Sequence, residues 1–197
     1  MSSRIAATGK PILRLVRTDD TRGDAELVRE ATQGERAAMH TLYVRHVDYV
    51  TGVAVRLSRD IDRGRDVAQE SFLLAFEKLS ELREPAAFRP WVTQIAARMA
   101  HRQLKRQRWW SRSQEPTLGL ADLAREDLSA EARSELTLID AALSAVTDEQ
   151  RMAWVLRRVE EEPLESIAAA CECSVATVKR WVDIAEHHVR RAVGGVP

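Results

Sequence analysis

Leu164-Glu-Ser-Ile-Ala-Ala-Ala-Cys-Glu-Cys-Ser-Val-Ala-Thr-Val-Lys-Arg-Trp181 is the stretch on which the fold turns. Leu164, Ile167, Ala168 and Cys171 recur at helical spacing and predict a short helix with one apolar side. Ser174 then offers a side-chain oxygen to cap a second helix, whose buried seam is Val175, Val178, Val182, Ala185 and Val189. Two helices separated by so short a turn form a helix-turn-helix. With Ser174 at the cap, Ala176, Thr177, Lys179 and Arg180 are left facing outward at the start of the second helix. Short side chains there let a helix approach a groove, and the two cations can meet phosphates or guanine edges. The pattern points to the major groove of duplex DNA; the basic end of a helical bundle is the other reading.

Moving outward, the chain has 197 residues, of which 45% are hydrophobic and 30% charged, as expected of a folded protein with room for two small cores. No alternating strand pattern occurs, so the fold class is all-α. Residues 1–23 carry scattered Gly, Pro, Ser and Thr and no period, which predicts a loosely ordered arm. Asp24 is a candidate cap for a helix over Ala25 to Thr32, Gly34 breaks into a long helix ending near Arg59, and Asp60 to Arg65 reads as a polar connector. A third helix then runs to Leu79, and a fourth from about Phe88 to Gln107. Residues 24–110 form the first expected domain, 111–130 a flexible linker, and 131–197 a second domain ending in the helix-turn-helix. Within that second domain, Thr147-Asp-Glu-Gln150 has the form of a capping box opening a helix to about Glu161.

Lys and Arg number 30 against 30 Asp and Glu, a balance that conceals strong segregation. From Pro85 to Gln114 there is no acid, while Arg89, Arg98, Arg102, Lys105, Arg106, Arg108 and Arg112 all fall there. From Glu115 to Glu149 nine acids face only Arg125 and Arg133. Blocks of opposite charge of this kind mark interaction surfaces. On the fourth helix, Phe88, Trp91, Val92, Ile95 and Met99 are candidate core, and Arg98, Arg102 and Lys105 run beside them. Arg106, Arg108, Trp109 and Trp110 extend past the core. Cations interleaved with flat aromatics suit single-stranded DNA, whose phosphates need charge and whose bases need a platform; a solvated basic helix end with packed tryptophans is the other reading. On the third helix, Ala68, Phe72, Ala75, Phe76 and Leu79 are candidate core, while Asp66, Gln69, Glu70 and Leu73 share a separate stripe. That stripe is either a dock for a basic protein surface with an apolar anchor or a solvated face with one incidental leucine.

Other chemistry finds little support. Asp183 and His187 lie one helical turn apart without a third candidate ligand, so no metal site is expected. The two cysteines, Cys171 and Cys173, are too close along the turn to bridge without distorting it and suit a reducing compartment. No phosphate-cradling Gly loop, nucleophile elbow or paired catalytic carboxylates appear, so neither an enzyme nor a cofactor is expected. No apolar run approaches the length of a membrane span, and the expected location is cytoplasmic.

Together the pieces resemble an extracytoplasmic-function (ECF) sigma factor of the sigma-70 family, from about Asp24 to Ala192. Asp66-Val-Ala-Gln-Glu-Ser-Phe-Leu-Leu-Ala-Phe76 is similar to the region 2.2 helix. Phe88-Arg-Pro-Trp-Val-Thr-Gln-Ile-Ala96 is similar to the start of regions 2.3 and 2.4, and Ser174-Val-Ala-Thr-Val-Lys-Arg180 to the recognition helix of region 4.2. The resemblance implies that Asp66, Gln69, Glu70 and Leu73 bind core RNA polymerase. It implies that Arg98, Arg102, Lys105, Arg106 and Trp109 bind the opened minus-10 strand, and that Ser174, Ala176, Thr177, Lys179 and Arg180 bind the minus-35 duplex. An anti-sigma partner, an acidic linker threaded through the polymerase and promoter-directed transcription initiation are further implications. A helix-turn-helix regulator that acts without polymerase is the competing expectation; it leaves the stripe on the third helix unused. Three positions depart from the family pattern. Ile95-Ala-Ala-Arg98 replaces Ile-Ala-Arg-Asn, Glu172 replaces the turn glycine, and Asp183-Ile-Ala-Glu-His-His188 replaces an Arg-rich run.

Overall fold

Ser129, Thr147 and Ser174 each accept a backbone N–H three residues ahead, from Ala132, Gln150 and Thr177, and so start three of the four helices of the C-terminal domain. The computed structural model describes residues 21–110, 119, 122 and 129–194, with side chains of 107–110 excluded. Residues 1–20 of the expected arm and most of the expected linker lie outside the described residues. The order is α1 (Asp24–Thr32), α2 (Arg36–Ser58), α3 (Ile61–Glu77), α4 (Phe88–Trp110), α5 (Ala130–Leu143), α6 (Asp148–Arg158), α7 (Leu164–Ala170) and α8 (Val175–Val193). Two short 3₁₀ turns, Leu79–Glu81 and Pro85–Ala87, join α3 to α4. The described residues contain no strand, and they form two helical domains.

In the first domain, α2 packs along both α3 and α4. Leu27, Leu42, Val50, Val53, Phe72 and Phe88 are buried between them. An aromatic run binds the layers: Tyr43 meets Phe72 edge-on at 4.9 Å, and Phe76 stacks on Phe88 at 6.1 Å. Phe72 and Phe88, the buried members of the run, each contribute about 2–3 kcal/mol by leaving water. In the second domain α8 is the central element, packed on α5, α6 and α7 through Val178, Val182, Ala185 and Val189. Val175, expected in the same seam, is only half-buried.

Three local expectations are corrected. Asp24 does not cap α1, because Gly23 holds that position; its carboxylate instead reaches α2, 2.6 Å from Arg45 Nη1 and 2.7 Å from His46 Nε2. The expected connector at Asp60 to Arg65 is helical from Ile61, with Asp60 accepting the Arg63 N–H as the cap. Gly64 is therefore inside α3, where a Cβ would stand 2.6 Å from the Val55 backbone nitrogen. Its glycine permits close helix contact and breaks nothing. Lastly, α6 ends at Arg158, short of Glu161, which adopts a left-handed φ of 57°.

The fourth helix is buried on more than the one face read from its pattern. Phe88, Val92 and Ile95 are in the core as expected, with Trp91 and Met99 packed against it. Thr93, Ala96, Ala97, Ala100 and His101 are buried as well. Thr93, Gln94 and Ala97 face α7 of the second domain across a narrow gap also lined by Leu156, Ser166, Ile167 and Ala170. The two domains meet here.

Candidate nucleic-acid interface

The stripe on α3 stands clear of the core. Asp66, Gln69, Glu70 and Leu73 are all exposed, and Leu73 is 60% accessible, the largest value among the large hydrophobic side chains of the described residues. Their spacing puts two carboxylates, an amide and an apolar knob on one helical side. Such a side can pair with cations while seating one leucine in a cleft.

On α4, Arg102, Lys105 and Arg106 are exposed and Arg98 is half-buried, so the four share a stripe that ends near the first domain's edge. Trp109, expected beside them, lies outside the described side chains. The stripe is not wholly open. Arg102 donates to Glu172 Oε1 at 2.7 Å from Nη2 and 3.2 Å from Nε, which holds the Glu172 carboxyl below the usual carboxylate range. Glu172 adopts a left-handed φ of 54° in the helix-turn-helix turn, so the residue in the glycine's place carries backbone strain. Nearby, Gln94 donates to Ser166 Oγ at 2.9 Å.

Two further contacts tie the domains together. The Glu160 side chain, 2% exposed, accepts from Arg56 Nε at 2.6 Å and from the Tyr49 hydroxyl at 3.3 Å. Arg151 is buried and donates from Nη1 to the Arg56 carbonyl at 3.2 Å; burial, with Arg59 nearby, lowers its pKa to about 10. Arg89 sits 5.2 Å over the Tyr49 ring. His101 is 1% exposed and neither ring nitrogen has a partner in the structure; burial lowers its pKa. None of these partners could be paired from sequence, because they lie 70 to 111 positions apart in the four side-chain pairs Arg102 with Glu172, Gln94 with Ser166, Arg56 with Glu160, and Tyr49 with Glu160.

At the other end, Ala176, Lys179 and Arg180 are exposed on α8, as is Ser174 at its cap, while Thr177 is half-buried. The Ser174 and Thr177 hydroxyls lie 2.9 Å apart, so each already has one partner. The same face continues through Asp183 and His187, both exposed, and forms one shallow concavity with Ile184 and His188. Glu186, on the flank, is occupied by Trp154 Nε1, Arg158 and Arg190; desolvation acts to raise its pKa, and the bonds from Arg190 and Trp154 bring it below the usual range. Cys171 is buried with its thiol raised to about 12, and both cysteines are free. No cluster of metal-ligating side chains occurs among the described residues. No described helix is long and apolar enough to cross a membrane.

Residues 42–110 match the family model "Sigma-70 region 2", and residues 136–183 match "Sigma-70, region 4". The chain is 26% identical over 180 residues to the RNA polymerase sigma-H factor of Pseudomonas aeruginosa, covering 86% of this chain and 93% of that one. It is 29% identical over 171 residues to the ECF RNA polymerase sigma-E factor of Salmonella typhimurium, covering 79% and 86%. In fold it is similar to the sigma factor RpoE of Bartonella quintana, solved in complex with the anti-sigma factor NepR. The TM-score is 0.57 at 19% identity, covering 80% of this chain and 98% of that chain.

Proposed function

The chain is a sigma factor of the extracytoplasmic-function group of the sigma-70 family, and from that premise we propose which of its surfaces carries each step of initiation. Residues 24–110 act as the polymerase and minus-10 domain, 131–197 as the minus-35 domain, and 111–130 as the acidic connection between them. Asp66, Gln69, Glu70 and Leu73 dock on core RNA polymerase: the acids pair with cations at the rim and Leu73 supplies the buried anchor. Lys179 and Arg180, with Ser174, Ala176 and Thr177 at the helix start, hold the minus-35 duplex in its major groove.

Strand opening follows from the stripe of Arg98, Arg102, Lys105 and Arg106. Melting a duplex costs pairing and stacking, and it becomes favourable only if the freed strand gains phosphate and base contacts. Trp109 is assigned, from its place in the sequence, the role of stacking on a freed base. Arg102 must exchange its Glu172 partner for phosphate, so strand capture requires α4 to part from the helix-turn-helix turn. An anti-sigma protein that favours the paired state would keep Arg102 on Glu172 and so withhold the α4 stripe from the opened strand, and a cytoplasmic location follows from these partners.

The observation that carries this reading is the exposure of an acid-and-leucine stripe on α3 apart from the basic faces of α4 and α8. Sizing chromatography with core polymerase, followed by run-off transcription on matched promoters, tests it. Leu73→Asp should abolish co-migration. Replacing Arg98, Lys105 and Arg106 with Ala should leave co-migration intact while transcription from duplex promoters falls and a pre-melted template rescues it. Separate elution of the wild-type chain and polymerase would refute the assignment. Against the competing regulator, duplex binding without polymerase-dependent transcripts would decide in its favour.

A further inference from the structure

Asp183 is exposed on the recognition face of α8, one helical turn beyond Lys179. It lines the same concavity as Ala176, Lys179, Arg180 and His187. No ion pair or hydrogen bond to another described residue occupies its carboxylate, in contrast to Glu186, which three side chains hold. Lys179 is four positions earlier and within reach on a helix, yet the two do not pair. A bare anion on the surface that meets a polyanion weakens every complex through phosphate repulsion unless it accepts a hydrogen bond in return.

We propose that Asp183 is a specificity-determining residue whose carboxylate accepts a hydrogen bond from the exocyclic amino group of a cytosine in the major groove. Cytosine presents an N4 amino donor there. Adenine sets an N7 acceptor beside its N6 donor, which repels a carboxylate, and guanine and thymine present acceptors. Four helical residues advance about 6 Å along the axis. The cytosine is therefore a different base from the one met by Lys179, further along the groove in the direction of α8. The inference rests on α8 being the duplex-reading helix, and it adds to that assignment a base preference at a defined place.

The test is binding of the full chain, assembled with core polymerase, to minus-35 duplexes randomised one position at a time. Wild type should prefer cytosine at a single position by about tenfold. Asp183→Ala should flatten that position alone, and Asp183→Asn should move the preference to adenine, whose N6 and N7 an amide can meet together. Both variants should melt like wild type, since the side chain is exposed. If Asp183→Ala strengthens every duplex equally and leaves the base profile unchanged, the carboxylate is only a repellent and the proposal falls. Lys179→Ala with Arg180→Ala separates the two levels. Loss of duplex affinity in that variant together with an unchanged Asp183→Ala profile rejects the cytosine contact alone, whereas retained affinity rejects the duplex-reading assignment itself.

Discussion

Gly64 has no side chain because α2 leaves no space for one. A methyl group there would press on the Val55 backbone, which cannot swing aside as a flexible side chain could. Gly64→Ala should destabilise the first domain by about 2–3 kcal/mol in urea titration. Gly52→Ala is the milder comparison, because a Cβ there would meet a side-chain end and no backbone, the Arg56 guanidinium at 3.2 Å, which Glu160 holds; it should cost less than Gly64→Ala. His101 supplies a second residue-scale prediction. Its pKa lies below the ordinary imidazole value of 6.5 because burial disfavours the charged form; Lys105 and Arg102 on α4 lower it further, while Glu149 of α6 and Glu172 in the turn act the other way. An unfolded chain then binds the proton before the folded one does. The contribution to stability is complete above pH 6.5 and declines as pH falls through that value toward the lowered folded one. His46 is shifted in the same direction by burial, against the attraction of Asp24. Thermal melts at about pH 7.5 and about pH 5.5 should show the drop, and His101→Gln should remove part of it. An unaltered slope in that variant would mean that the ring is protonated in place. Gly64 lies in the stretch read from sequence as a polar connector, because sequence shows the missing Cβ and not the helix that excludes it.

Elements are where local chemistry prevailed. Thr147 and Gln150 close a capping box around the start of α6, each accepting the other's backbone N–H at 3.3 and 3.0 Å. Thr147→Ala should cost about 1 kcal/mol by denaturant melting. Ser174→Ala should cost a similar amount and also loosen the first turn of α8, since Thr177 loses its hydroxyl partner at 2.9 Å. The seam of α8 was readable because each of its buried positions answers to one continuous helical stripe. The second buried side of α4 was not. Thr93, Ala97 and His101 look unremarkable in a basic helix, and only the arrival of α7 gives them neighbours. Asp24 failed as a cap for a related reason: two basic groups on α2, at 2.6 and 2.7 Å, compete for its carboxylate.

At the scale of the molecule, the two domains are held by few but specific polar contacts around a thin apolar seam. Glu160 is nearly inaccessible and serves both Arg56 and Tyr49 of the other domain. Glu160→Ala should therefore leave each domain folded while the radius of gyration of the free chain rises in small-angle scattering; an unchanged radius would show that the apolar seam alone keeps them together. Glu172→Gly should combine two effects. It relieves the left-handed strain at φ 54° and removes the partner of Arg102, so the second domain should melt a few degrees higher while the domains separate more readily. The amino-acid sequence alone determined the all-α class, the helix-turn-helix, its basic leading edge, the acid-and-leucine stripe and the family, because each is encoded within one helix or one short motif whose period and caps act locally. Only the tertiary structure decided that α4 is covered from two sides, that Arg102 meets Glu172, and that Asp183 is left without a partner among the described residues where Glu186 has three. Those outcomes depend on groups many positions apart being brought within hydrogen-bonding distance, and local spacing holds no information about which distant charge will arrive.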